Sequence, residues 1–228
     1  MTQAAALPQS RSRANPWRPL SLAFAALLLG GCASVQYSAL EQVGIHKRDI
    51  LVDRVEDARN AQSETREELV SAYDELKALT GFDGGDLEAK YEELSAAVER
   101  SRKATGELDD HLAAIDRVSE DLFDEWESEL DLYSSESLRA DQSNKLAQAR
   151  QRYAAMRQRM QVARDRVDPV MSVLNDNVLF LKHSLNASAL AALRDQAGAL
   201  DQRVDALVRD MQSAIDEADA FIQRMRVG

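Results

Sequence analysis

The chain has 228 residues, with 28 basic and 39 acidic side chains, a formal charge of −11 and a single cysteine. A charge of that sign excludes a binder of phosphate backbones, which needs a basic surface, and one thiol excludes an intrachain disulfide. Nine glycines and four prolines among abundant Ala, Leu, Glu, Asp, Arg and Gln make this the composition of long helices.

Residues 1–31 carry Arg11, Arg13 and Arg18 and no acid, followed by the apolar run Leu20–Leu29. That run is too short for a membrane-spanning helix, which needs roughly 20 apolar residues. A basic start, a short apolar stretch and small residues behind it describe a secretory signal peptide. The small residues are Gly30 and Gly31, and Cys32 follows directly. Leu29-Gly-Gly-Cys32 resembles the bacterial lipobox. The resemblance implies cleavage between Gly31 and Cys32, a diacylglyceryl thioether on the Cys32 sulfur and an acylated amino terminus. An ordinary signal peptide with an incidental cysteine is the alternative. A catalytic thiol is disfavoured, because no histidine or acid follows before Glu41. Each buried methylene contributes about 0.8 kcal/mol, so two or three acyl chains make an essentially permanent membrane anchor. Ala33 stands where an aspartate would resemble an inner-membrane retention signal. By that analogy the expected location is the periplasmic face of the outer membrane. Removal of residues 1–31 leaves 25 basic against 39 acidic side chains, a formal charge of −14.

Residues 32–39 read as the lipidated cysteine and a short tether, and residues 40–228 as a helical domain with helices over about 40–79, 87–133, 136–182 and 187–226. The first stripe is Leu51, Val55, Ala58, Gln62, Thr65, Leu69, Ala72, Leu76 and Leu79. The second runs through Leu87, Tyr91, Leu94, Val98, Leu108, Leu112, Ile115, Leu122 and Trp126, with Ser101, Thr105 and Ser119 filling its gaps. The third takes Leu146, Ala149, Tyr153, Met156, Met160, Ala163, Val167, Val170, Leu174, Asn177 and Leu181, with one polar exception. The fourth is Leu190, Leu193, Ala197, Leu200, Val204, Leu207, Met211, Ala214, Ala218, Phe221 and Met225, every position apolar. Alternating spacings of three and four keep such a stripe on one face of a left-handed supercoil.

The breaks fall between the stripes. Thr80–Asp86 holds three glycines, and Asp86 is placed to cap the helix beginning at Leu87. Ser134–Ser137 supplies further caps, and Asn186 is the expected cap before Ala187. Pro169, inside the third stripe, calls for a kink or for a boundary splitting that helix, with Asp168 as the cap of the second piece. Rods of about 60 Å joined by short connectors give antiparallel neighbours. The expected fold is therefore all-α, an elongated antiparallel four-helix bundle or coiled coil. An open hairpin completed by a partner is the alternative.

His46, His111 and His183 lie on three different predicted helices without metal-ligand spacing, so no metal is expected. Glu120–Asp131 holds seven acids in twelve residues. On a helix Leu122, Trp126 and Leu130 turn inward there and the acids fan out as a solvated face. The Asp83–Asp86 loop lacks the alternating ligands and closing glutamate of an EF-hand, and no nucleotide or nucleophile motif appears. His46, Lys47 and Arg48 form a basic cluster close after the expected anchor, which reads either as a contact for anionic lipid headgroups or lipopolysaccharide or as plainly solvated side chains. Asn177 reads either as a register-setting polar residue in an apolar seam or as a peripheral one.

Gly44-Ile-His-Lys-Arg-Asp-Ile-Leu-Val-Asp-Arg-Val-Glu-Asp-Ala58, Gly81-Phe-Asp-Gly-Gly-Asp-Leu87, Leu122-Phe-Asp-Glu-Trp126 and Asn177-Val-Leu-Phe-Leu-Lys-His183 resemble the proteobacterial family of domain of unknown function 2959, over roughly Ser38 to Met225. The resemblance implies a secreted helical lipoprotein and assigns no activity. The expected function is that of a non-catalytic, periplasm-facing lipoprotein acting as a scaffold or interaction module. The alternative is a carrier of a hydrophobic or lipid ligand within the bundle. The expected partners are the membrane, through acylated Cys32, and an envelope protein, with a second copy of the chain left open. No nucleic acid and no cofactor are expected.

Overall fold

In the computed structural model the described residues are 47–227 apart from 83 and 85, with the side chains of Ala187, Ser188 and Asp195 also outside the description. The segments expected as signal peptide and tether, with Gly31 and Cys32, and His46 therefore lie outside the described residues. Five helices follow one another: α1 (Lys47–Thr80), α2 (Leu87–Glu129), α3 (Glu136–Asp165), α4 (Val167–His183) and α5 (Ala187–Val227). Among the described residues there is no strand. No helix among them is long and apolar enough to cross a membrane.

The helix ends are set by the residues whose side chains reach back to the backbone. The Asp86 carboxylate accepts from the Ala89 N–H at 3.1 Å, and the Asn186 side-chain oxygen from the Ala189 N–H at 3.1 Å. Ser135 accepts from the Leu138 N–H at the start of α3. Each satisfies one of the donors a helix start leaves without an intrahelical partner. The second helix was expected to reach residue 133. It ends at Glu129 and tightens into a 3-10 turn, Leu130–Leu132, before Tyr133 turns extended.

The third rod is divided, as one of the two readings of Pro169 requires. Arg166 donates its N–H to the Ala163 carbonyl at 3.2 Å, and α4 begins at Val167. Pro169 thereby falls in the first turn of α4, where a missing N–H costs little. Asp168 is not the cap. Arg166 keeps helical angles (φ −72°, ψ −19°), so α4 starts without the extended residue a capping side chain needs. The Asp168 carboxylate instead takes the Arg164 guanidinium at 2.7 Å.

Cross-rod pairs fix the topology. On α1 and α2, Lys47 meets Glu125 while Glu68 meets Arg100. On α2 and α3, Glu127 meets Arg150, Asp116 meets Arg157 and Asp109 meets Arg164. On α1 and α5, Glu56 meets Arg226, Arg59 meets Asp219 and Tyr73 meets Asp201. In every case one partner's number falls as the other's rises, so each adjacent pair is antiparallel. The third rod, α3 with α4, also packs on α5, and α1 packs on α2 and α5 most extensively. The result is an up-down-up-down bundle of four rods.

All nine positions of the first stripe and all eleven of the last are buried. The third stripe is buried except for the half-exposed Tyr153, whose ring packs edge-on against Phe123 (5.7 Å) and Phe221 (6.3 Å). Leucine-sized side chains buried this way contribute roughly 1.5–3 kcal/mol each before chain entropy is subtracted. Thr65 stands on α1 with its hydroxyl 2.8 Å from the Ala61 carbonyl and 3.1 Å from the Ala104 carbonyl on α2. Ser101 and Thr105 donate to their own helix four residues back. These small polar residues let α1 and α2 approach closely without orphaning a hydroxyl.

Candidate functional site

Antiparallel rods gather distant sequence at their ends. The first turn of α1, the last turns of α2 and α5 and the first half of α3 meet at one end of the bundle. There Arg48, Trp126, Lys145, Arg152, Arg224 and Met225 line a recess of about 370 Å³. Among the described residues lining it there is no carboxylate, in a chain with 39 acids.

The four cations differ in how they are engaged. Lys145 pairs with Asp141 one turn earlier at 2.9 Å, and Arg224 with Glu217 at 3.1 Å. Among the described residues Arg152 bonds only to the neutral Gln148 side chain, at 3.1 Å. Arg48 is exposed and has no ion pair among the described residues. It stands in the first turn of α1, where the helix dipole disfavours a cation. Helix stability thus gives no reason for Arg48. Met225 is buried and Trp126 half-buried, so the cations surround an apolar floor.

The predicted basic cluster is divided by this arrangement. The Lys47 side chain is 18% exposed and its ammonium stands 2.9 Å from Glu125, while Arg48 turns to the recess; His46 lies outside the described residues. Trp126 and Leu130, expected inward, are half-buried because the bundle ends there; Leu122 and Phe123 are the buried residues of that turn. The acids around them act as partners: Glu125 for Lys47, Asp124 and Glu127 for Arg150. Lys145, Arg152 and Arg224 were not singled out from sequence. A signal for two of them exists, since residues 142–164 contain six basic side chains and no acid.

The remaining ionisable clusters hold rods together. Asp116 receives the Tyr153 hydroxyl at 2.6 Å and an Arg157 fork at 2.8 and 3.0 Å. Burial alone would raise the Asp116 pKa. The bonds from Arg157 and Tyr153 and the charges of Arg157 and Arg117 outweigh it and hold the carboxyl below its usual range. Burial and then the Asp116 bond push the Tyr153 phenol up. Tyr73 donates to Asp201 at 2.5 Å, and burial followed by that bond raises its phenol to about 12. Arg164 forks onto Asp109 and also reaches Asp168, which raises its pKa. These shifts favour the charged Asp116 carboxylate and the neutral Tyr73 and Tyr153 phenols, the forms in which these bonds are made.

Asn177 is 4% exposed and donates to the Val173 carbonyl of its own helix at 2.7 Å. Among the described residues no hydrogen bond from its side chain crosses the seam. Beside it a smaller recess of about 270 Å³ lies between α4 and α5. Leu179, Phe180 and Leu185 are exposed near the same end. Among the described residues no group of three or more His, Cys, Asp or Glu is placed to hold a metal ion.

No curated protein and no solved structure matches the chain. A family model described as Protein of unknown function (DUF2959) matches residues 36–225, which takes in the His46–Arg48 cluster, all four rods but the last two residues of α5, and every residue of the cationic recess. With that match covering most of its length, the chain belongs to the DUF2959 family.

Proposed function

We propose that this protein is a non-catalytic lipoprotein that stands on the periplasmic face of the outer membrane, tethered by acylated Cys32, and serves there as a scaffold or interaction module. The observation that carries the reading is the Leu-Gly-Gly-Cys stretch behind a basic and apolar leader, with the first described helix starting fifteen residues after the cysteine. A bundle whose seams are filled by its own side chains supports it as well. Such a body favours its outer surface as the working part over an internal lipid cavity. The acidic exterior suits a solvated rod, and long antiparallel helices separate the two ends of the bundle by the length of α2, about 65 Å.

Labelling with radioactive palmitate in a bacterial host tests the anchor. The expected result is label on the full chain, with the protein in the membrane fraction, and loss of both in Cys32→Ala. Wild-type chain that takes up no label would overturn the reading.

A further inference from the structure

The cationic recess runs against the character of the molecule around it. Four positive side chains share about 370 Å³ in a chain of net charge −11, and no carboxylate among the described lining residues offsets them. Two of the four, Arg48 and Arg152, have no ion-pair partner among the described residues, and Arg48 opposes the dipole of its own helix. Uncompensated like charges destabilise a fold. A guanidinium fork is the group best matched to a phosphate or carboxylate.

The floor narrows the choice of anion. Trp126 and Met225 add apolar surface beside the cations, and a volume in the range of small-molecule sites exceeds what an inorganic phosphate would fill. An indole beside basic side chains is the pairing found where a surface meets lipid headgroups. The sequence also brings Arg48 within sixteen residues of Cys32.

We propose that this recess receives the headgroup of an anionic phospholipid, the phosphate held by Arg48 and Arg152 and the glycerol and first acyl carbons lying on Trp126 and Met225. Lys145 and Arg224 supply further positive charge. This inference rests on the envelope-anchored reading, which places such lipids within reach of the protein.

The chain has two tryptophans, Trp17 and Trp126, so Trp17→Phe in the full chain leaves Trp126 as the only indole and as a local reporter. Dihexanoyl phosphatidylglycerol, dihexanoyl phosphatidylcholine and inorganic phosphate are titrated separately while Trp126 fluorescence is followed. The expected result is a saturable shift with the anionic lipid, weaker binding of the zwitterionic one and no saturation with phosphate alone. Arg48→Gln with Arg152→Gln should weaken binding about thirtyfold, at roughly fivefold for each basic side chain facing an anionic lipid. Neither residue makes an ion pair among the described residues, so the circular dichroism and thermal midpoint of the double variant should match the parent. Arg100→Gln, which removes a cation paired with Glu68 outside the recess, should leave the affinity unchanged.

Equal binding of the two lipids, or an unweakened double variant, would overturn the proposal. Saturation by inorganic phosphate at the lipid's own concentration would overturn the lipid as source and leave a phosphate site. Palmitate labelling at Cys32 is read independently. Label without recess binding refutes the recess alone, and recess binding without label refutes the anchor alone.

Discussion

Gln62 sits in the middle of an apolar stripe, fully buried, and both polar atoms of its side chain lack a hydrogen-bond partner among the described residues. A buried amide left unpaired costs about 1–3 kcal/mol, while an apolar side chain of the same shape costs nothing of the kind. Gln62→Met should therefore raise the unfolding free energy by about 1–2 kcal/mol, measured by urea denaturation. A loss of stability would mean the amide is satisfied in solution. Asp116 is the opposite case, a carboxylate whose two oxygens accept three hydrogen bonds. Its folded pKa lies below the usual 3.8, so its contribution is fully present above that pH and is lost as pH falls through the lower, folded value. Asp116→Asn should cost about 1–2 kcal/mol at neutral pH, a figure kept low because the carboxylate is half-exposed and screened. The gap between variant and parent should close as acid titration passes below pH about 4. A gap that stays constant down the acid limb would show that the lost interaction is not the ionised carboxylate.

At the level of helices, local chemistry was enough where the determinants are local. Leu190 to Met225 could be assigned to one buried face because alternating three- and four-residue spacings leave no other face apolar. Asp86 and Asn186 could be assigned as caps because a cap needs only its own side chain and an N–H three residues on. Asp168 failed as a cap for a reason invisible in sequence. The chain stays helical through Arg166, and Arg164 claims the carboxylate first. Trp126 failed as a core residue because stripe periodicity continues past the point where the bundle stops covering it. The recess is harder still, since Arg48, Trp126, Arg152 and Arg224 come from four helices and meet only once topology is known. What sequence does carry is the charge asymmetry of α3, six basic residues without an acid over 142–164, and half of those find acids on α2. That ladder of Arg150, Arg157 and Arg164 gives the α2–α3 seam an electrostatic definition that its apolar contacts lack.

For the whole molecule the rods are unequal. α1 buries thirteen residues and packs on α2 and α5 along its length, whereas α3 buries five, the first of them Leu146, ten residues into the helix. Residues 136–145 have no buried side chain, and Leu138 is 55% exposed. Opening free energies within one domain range from about zero at frayed ends up to the global value in the core. Amides around Leu69 to Leu76 should therefore exchange only by global unfolding, and those of Glu136 to Lys145 orders of magnitude faster, by local opening of α3. Native-state hydrogen exchange read residue by residue checks this. Denaturant should accelerate the α1 amides with the slope of full unfolding and leave the early α3 amides nearly unaffected. Because Lys145 borders the cationic recess, the turns of α3 without a buried side chain lie beside it, and an anion seated there would have segments to order. Uniform protection along α1 and α3 would refute this gradient and make the bundle one rigid cooperative unit.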